Sequence, residues 1–137
     1  MNNSLMLNNL SEALGKTKRD EAVGIKIVKL TGNDTLAFYA AEIESHKRVG
    51  AHYHTQGTEI YQIVKGQGEI YIGIPGSEQV DWKEPVTVKA GDCFTVNELE
   101  VHQLVNTGNE QLIIIFACPF SHISTDRIVV PGLKDFE

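Results

Sequence analysis

Thiols are scarce in this chain. Two cysteines occur in 137 residues. Cys93 and Cys118 stand far apart and outside any CxxC, which excludes a disulfide framework and a thiolate metal site. No apolar run approaches the roughly 20 residues that span a bilayer, so no membrane partner is expected. The N-terminus lacks a basic region and a long apolar stretch, so no secretory signal is expected and a cytoplasmic setting follows. Positive charge is also in deficit: 12 basic against 18 acidic residues give a net charge of −6. Such a chain repels phosphate, which argues against a nucleic-acid partner. Gly66 and Gly68 are not followed by the Lys-Ser/Thr of a phosphate loop. No Lys/Arg cluster offers a grip on a phosphate, and no nucleophile-elbow motif supports a serine or cysteine nucleophile.

What the chain does have is length for one domain and 42% apolar residues for a core. Residues Asn2 to Lys18 hold the one helical pattern, with Asn9 and Glu12 as a capping box and Gly15 as a stop past Leu14. From Val23 onward apolar residues recur in short runs: Ile25–Leu30, Leu36–Ile43, Ile60–Val64, Glu69–Ile74, Val86–Lys89, Cys93–Val96, His102–Val105, Leu112–Ala117 and Ile128–Val130. Gly, Asn, Asp and Pro separate them. The pattern predicts an all-β sandwich or barrel behind a short N-terminal helical extension. We divide it into an extension (1–22), a barrel (23–120) and a weakly patterned tail (121–137), whose last residues are expected to be mobile.

The chemistry concentrates in histidines. Strand side chains alternate with period two, so His52 and His54 share a face and Tyr53 takes the other. Glu59 opens the next apolar run and shares its face with Tyr61 and Ile63. A tight turn through Thr55-Gln56-Gly57-Thr58 would set Glu59 beside the histidine pair. Two imidazoles and a carboxylate on one face are a ready metal site, and His102, opening a later strand, is the natural fourth ligand. A lone strand histidine is more often a satisfied core residue; four such groups at these spacings are not. Tyr61 is placed as a cavity-lining residue. His46, among Glu44, Ser45, Lys47 and Arg48, reads as a solvated loop. His122 reads as a tail residue, more often without function, that could still reach a neighbouring subunit. Phe38, Phe94, Phe116 and Trp82 are assigned to core packing, and Cys93 and Cys118 to inert strand positions.

The array His52-x-His54-x4-Glu59-x6-Gly66 resembles the first motif of the cupin family. Gly91, His102 and Asn106 resemble the second. Asn97 stands where the family usually has proline and Leu99 where it usually has glycine, both in the turn before His102. The resemblance covers residues 36 to 118. It implies a double-stranded β-helix, the jelly-roll barrel, and one divalent transition metal (Mn, Fe, Co, Ni or Zn) held by His52, His54, Glu59 and His102. Four protein ligands would leave about two positions of a six-coordinate metal open for a small-molecule ligand.

Three functions fit that expectation. The first is Lewis-acid chemistry on a sugar or small acid, isomerase- or epimerase-like. The second is an iron-dependent dioxygenase. The third is a small-ligand-binding module without turnover. The catalytic base is not assigned: on the Glu59 face only Tyr61 is available, a poor base at neutral pH. A homodimer is expected, because small cupins pair through their sheets and edge strands need cover.

Overall fold

The computed structural model describes residues 5–133. The expected mobility at the end of the tail lies outside these residues. One helix, α1 (Leu10–Lys16), precedes eleven strands. They are β1 (Ile25–Gly32), β2 (Ala37–Ile43), β3 (His52–Tyr53), β4 (Glu59–Lys65), β5 (Gln67–Pro75), β6 (Val80–Trp82), β7 (Val86–Lys89), β8 (Cys93–Val96), β9 (Val101–Asn106), β10 (Leu112–Cys118) and β11 (Ile128–Val129). A 3-10 turn covers Phe120–Ile123. No described helix is long and apolar enough to cross a membrane.

The strands form two sheets, ordered β1-β2-β10-β4-β8 and β11-β3-β9-β5-β6, with β7 also paired to β5. This is the jelly-roll barrel. Its core lies between the sheets, because alternate residues turn inward from each. Tyr39, Ala41 and Ile43 of β2 and Leu112, Ile114 and Phe116 of β10 meet Ile70 and Leu104 from the opposite sheet. The chain crosses between sheets at Gly66, between β4 and β5. Gly66 has φ +90°, and a Cβ there would lie 2.7 Å from the Gln111 carbonyl oxygen, so both backbone and space require glycine.

One transverse row of aromatics is set by register. Tyr39 pairs with Phe116, Phe116 with Tyr61, and Tyr61 with Phe94. Their rings stack in sequence at centroid distances of 5.4, 5.4 and 5.0 Å. The row fixes the Tyr61 ring between two neighbours, each contact being favourable beyond its buried area.

Several expectations need correction. Helix α1 runs through Gly15 and ends at Thr17, where the Thr17 hydroxyl donates to the Ala13 carbonyl. Buried Leu14 and this cap set the end, so no left-handed glycine is needed. The Asn9 cap is present, its side chain accepting from Glu12 N at 3.1 Å. Phe38 is 49% exposed, because alternation on β2 turns it outward. Phe116 is buried, and Phe94 is partly buried against the core. His46 is exposed in a turn, at φ 62°. The strand β6 is too short to carry a period and matches none of the runs read from the sequence.

Leu99 occupies the left-handed region at φ 65°. Its N–H donates to the His54 carbonyl, and Glu100 caps Asn97 N at 2.7 Å, so the turn keeps its path without the family's usual proline and glycine. A non-glycine residue there costs about 1–2 kcal/mol. Leu99 is 53% exposed and so contributes little packing. Leu99→Gly should therefore stabilise the protein by about 0.5–1 kcal/mol after the entropy cost of glycine, read as a higher denaturation midpoint. A lower midpoint would show that Leu99 contributes more by contact than it costs in strain.

Candidate metal centre

Two strands from one sheet and one from the other deliver the polar side chains. His52 on β3 pairs directly with His102 on β9. His54 follows β3 by one residue. Glu59 enters from β4, which belongs to the opposite sheet. The expected tight turn is instead a cross-over: residues 54–58 pass between sheets, so Glu59 faces the histidines across the barrel. Thr55 N and Gln56 N hold this loop by donating to the Asp126 carboxylate at 2.8 and 3.0 Å.

His52, His54, Glu59 and His102 are all buried. Ligand-capable atoms of His52, His54 and His102 lie within 4.8 Å of one another. His52 Nδ1 donates to the Gly50 carbonyl at 2.7 Å, His54 Nδ1 to the Asp126 carbonyl at 2.6 Å, and His102 Nδ1 to the Glu100 carbonyl at 3.3 Å. A carbonyl can only accept, so each Nδ1 carries hydrogen and each Nε2 is left as the coordinating nitrogen. Backbone partners that fix the tautomer in this way are the usual support of metal-binding imidazoles.

The fit to a cation follows from what these nitrogens lack. His54 Nε2 and His102 Nε2 are buried with no hydrogen-bond partner. They stand 3.1 and 3.8 Å from Glu59 oxygens. Buried lone pairs aimed at a carboxylate are costly unless a cation lies among them. Nitrogen and oxygen donors without thiolate suit a divalent transition metal.

His122, read from sequence as a tail residue without a role here, is buried beside this centre. Its Nδ1 meets Glu59 Oε2 at 2.8 Å and its Nε2 meets the Gln56 carbonyl at 2.6 Å. Its ring stacks parallel on His54 at 3.9 Å. Both nitrogens face acceptors, so both donate and the ring is an imidazolium. That separates it chemically from His54 and His102, whose Nε2 atoms have no hydrogen-bond partner. A Cβ at Gly57 would lie 3.3 Å from His122 Nε2, so this loop position is held tight against the ring. Tyr61 lines the same cavity and donates its hydroxyl to Glu59 Oε1. Glu59 is therefore held at both oxygens.

Sequence gave little sign of His122 or Asp126, which belong to a segment with no strand period. They reach the site because the tail folds back: β11 pairs with β3, and Val130 N donates to the Ala51 carbonyl. Asn106 of the second motif is structural. Its Nδ2 donates to the Ile43 and Glu110 carbonyls, and its Oδ1 accepts from Gly108 N.

Burial is the largest influence on His52, holding it down to about 2, and on His102, holding it down to about 4. Burial pushes Glu59 up, but hydrogen bonds from His122 and Tyr61 help to outweigh it and keep the carboxyl below the usual range. Burial, then the Glu59 charge, drives Tyr61 far above its ordinary value, so it remains a donor. Burial and then Glu59 also keep Cys118 a thiol. For His122, burial lowers the value but the Glu59 hydrogen bond overcomes it, and the net direction is up.

These directions fix the acid response of chelator-treated protein. His52 and His102 bind protons near 6.5 when unfolded and far lower when folded. Their contribution is complete above about pH 6.5 and is lost as pH falls toward 4 and below. Glu59, depressed in the fold, loses its contribution in the same direction below the usual carboxylate range. His122 acts oppositely, its contribution being complete below about 6.5 and lost as pH rises through its raised value. The melting temperature should fall between about pH 7 and pH 4, and His102→Asn should flatten that fall. An equally steep fall in the variant would contradict the account of His102.

Residues 40–118, more than half the chain, match the family model described as a cupin domain. Among solved structures, an uncharacterised conserved protein with a double-stranded β-helix domain from Klebsiella pneumoniae superposes with a TM-score of 0.67 at 15% identity, covering 94% of this chain and 100% of that one. A predicted oxalate decarboxylase from Thermotoga maritima gives a TM-score of 0.58 at 23% identity, with coverages of 77% and 81%. KdgF from a Halomonas species gives 0.58 at 19% identity, with coverages of 70% and 81%. No curated protein matches the chain in sequence. At these identities the structures share the fold, while the family match covers His52, His54, Glu59 and His102; the chain belongs to the cupin family.

Proposed function

We propose that this protein binds one divalent transition metal (Mn, Fe, Co, Ni or Zn) through Nε2 of His52, His54 and His102 and the carboxylate of Glu59. We propose further that it acts on a small oxygenated molecule, a sugar or small acid, in the manner of a Lewis-acid isomerase or epimerase. The observation that carries this proposal is the pair of buried, partnerless Nε2 atoms of His54 and His102, aimed at Glu59. When bound, the metal would supply Lewis acidity to a carbonyl or hydroxyl oxygen.

The chain's own groups have separable tasks. His122 and Tyr61 hold the two Glu59 oxygens and so orient the carboxylate. Ile70, Leu104, Ile114 and Phe116 wall the cavity with apolar surface, which excludes water and strengthens electrostatic contacts inside. One of the similar structures is described as a predicted oxalate decarboxylase, and a shared fold does not carry that chemistry to this chain. The proposal includes a cytoplasmic homodimer, with the outer face of the five-stranded sheet, where Phe38, Ile60 and Val64 are exposed, as the surface a second copy would cover.

A second function, binding without turnover, is favoured by one observation. Both nitrogens of His122 and the hydroxyl of Tyr61 are already committed to acceptors. An enzyme of this type needs a group free to move a proton.

Elemental analysis of protein purified without a chelating tag should find one metal per chain, absent from His52→Ala/His54→Ala. Full occupancy in that variant would overturn the ligand assignment. His122→Ala removes the partner of a buried carboxylate, so it should cost the metal-free protein about 3 kcal/mol. It should also weaken metal affinity by about 10–100-fold, measured by chelator competition. Unchanged values on both counts would reduce His122 to packing. Turnover and binding separate in heavy water: an isomerase incorporates deuterium beside the carbonyl of its substrate, detected by NMR, whereas a binding module leaves every sugar and 2-oxo acid unlabelled.

A further inference from the structure

We propose that the ligand of this site is a small organic acid, and that Arg127 recognises its carboxylate while an adjacent oxygen of the same molecule faces the histidine cluster. This rests on the site assignment made above and narrows it from sugar or acid to acid.

Three observations converge on Arg127. The first is position. An inner cavity of about 60 Å³ holds His52, Glu59, Tyr61 and His102, and an outer groove of about 540 Å³ runs beside it. Ile27, Val49 and Arg127 line both spaces, so Arg127 stands at the passage between them. The inner cavity admits only a few atoms, which suits the polar head of a ligand whose remainder lies in the groove.

The second is charge. Among the described residues Arg127 has no ion pair and no side-chain hydrogen bond. The groove it borders also carries Lys18 and Arg48 against one acid, Asp20. Asp20 is turned to its own loop, accepting from Ala22 N. Arg127 and Lys18 outnumber that carboxylate at the entrance, on a protein of net charge −6, and such an entrance concentrates anions. Sequence showed no cationic cluster because Lys18, Arg48 and Arg127 come from three distant segments. Glu98 and Glu100, which as rim residues would repel an anion, line neither space.

The third is rigidity. Asp126 is pinned by its carboxylate to Thr55 and Gln56 and by its carbonyl to His54. Ile128 and Val129 pair with Tyr53 and His52. Arg127 lies between these two anchors, so its backbone is fixed relative to the histidines. From that fixed backbone the exposed Arg127 side chain offers a planar guanidinium fork that matches a carboxylate. Inorganic phosphate also pairs with such a fork but lacks the adjacent carbonyl oxygen that would face the histidines.

The test uses calorimetric titration of the protein as purified with pyruvate, its uncharged isostere pyruvamide, and inorganic phosphate. Wild-type protein should bind pyruvate at least about tenfold more tightly than pyruvamide or phosphate. Arg127→Gln should erase that preference to within about twofold, and Arg127→Lys should retain part of it. Metal content and circular dichroism should be unchanged in both variants. A preference that survives in Arg127→Gln overturns the proposal. So does equal binding of pyruvamide or phosphate, or no pyruvate binding at about 10 mM. The site assignment fails separately: if wild-type protein carries no metal yet binds pyruvate through Arg127, the metal is lost from the account and the acid recognition stands. If metal is stoichiometric and no preference for the acid exists, the recognition fails alone.

Discussion

A charged carboxylate in the middle of the barrel is the constraint around which the rest is arranged. Glu59 is 2% exposed, and a lone buried carboxylate would cost several kcal/mol. The fold answers with two donors, Tyr61 from the same strand and His122 from the tail, and sets the Nε2 lone pairs of His54 and His102 opposite the carboxylate, where a cation would join them. Each of these groups is itself held. Tyr61 is fixed in the aromatic row, His122 by the Gln56 carbonyl, and His54 by the Asp126 carbonyl. The site is therefore one polar network inside an apolar shell, and loss of any member leaves others unpaired.

Glu59 belongs to one sheet and the ligand-type histidines to the other. A change in the spacing of the two sheets would alter the Glu59–histidine distances directly. The aromatic row across β2, β10, β4 and β8 stiffens one wall. The tail, added as an edge strand beside β3, stiffens the other.

Much of this was legible in the sequence, for a physical reason. Strand alternation places His52, Glu59 and Tyr61 by parity alone, and parity survives any tertiary context. The all-β pattern survives likewise, because half-buried strands must alternate. What escaped was long-range. His122 meets Glu59 across 63 positions, and Asp126 meets Thr55 across 71. No local pattern encodes such contacts; they depend on a tail whose strand is two residues long. The loop between His54 and Glu59 was misjudged for a related reason, since a hairpin and a sheet cross-over have the same turn-like composition. Leu99 was visible as a departure, but only its backbone angle shows that the turn tolerates it.

The fold-back of the tail also orders events in time. A nascent chain emerges from its N-terminus, so His52, His54, Glu59 and His102 are all available before residues 119–130 leave the ribosome. During that interval the carboxylate lacks its imidazolium, the His54 ring lacks its carbonyl anchor, and the cavity lacks the wall that bears Arg127. Once residues 119–130 are in place, Glu59 and His54 have the partners that hold them and the cavity has its last wall.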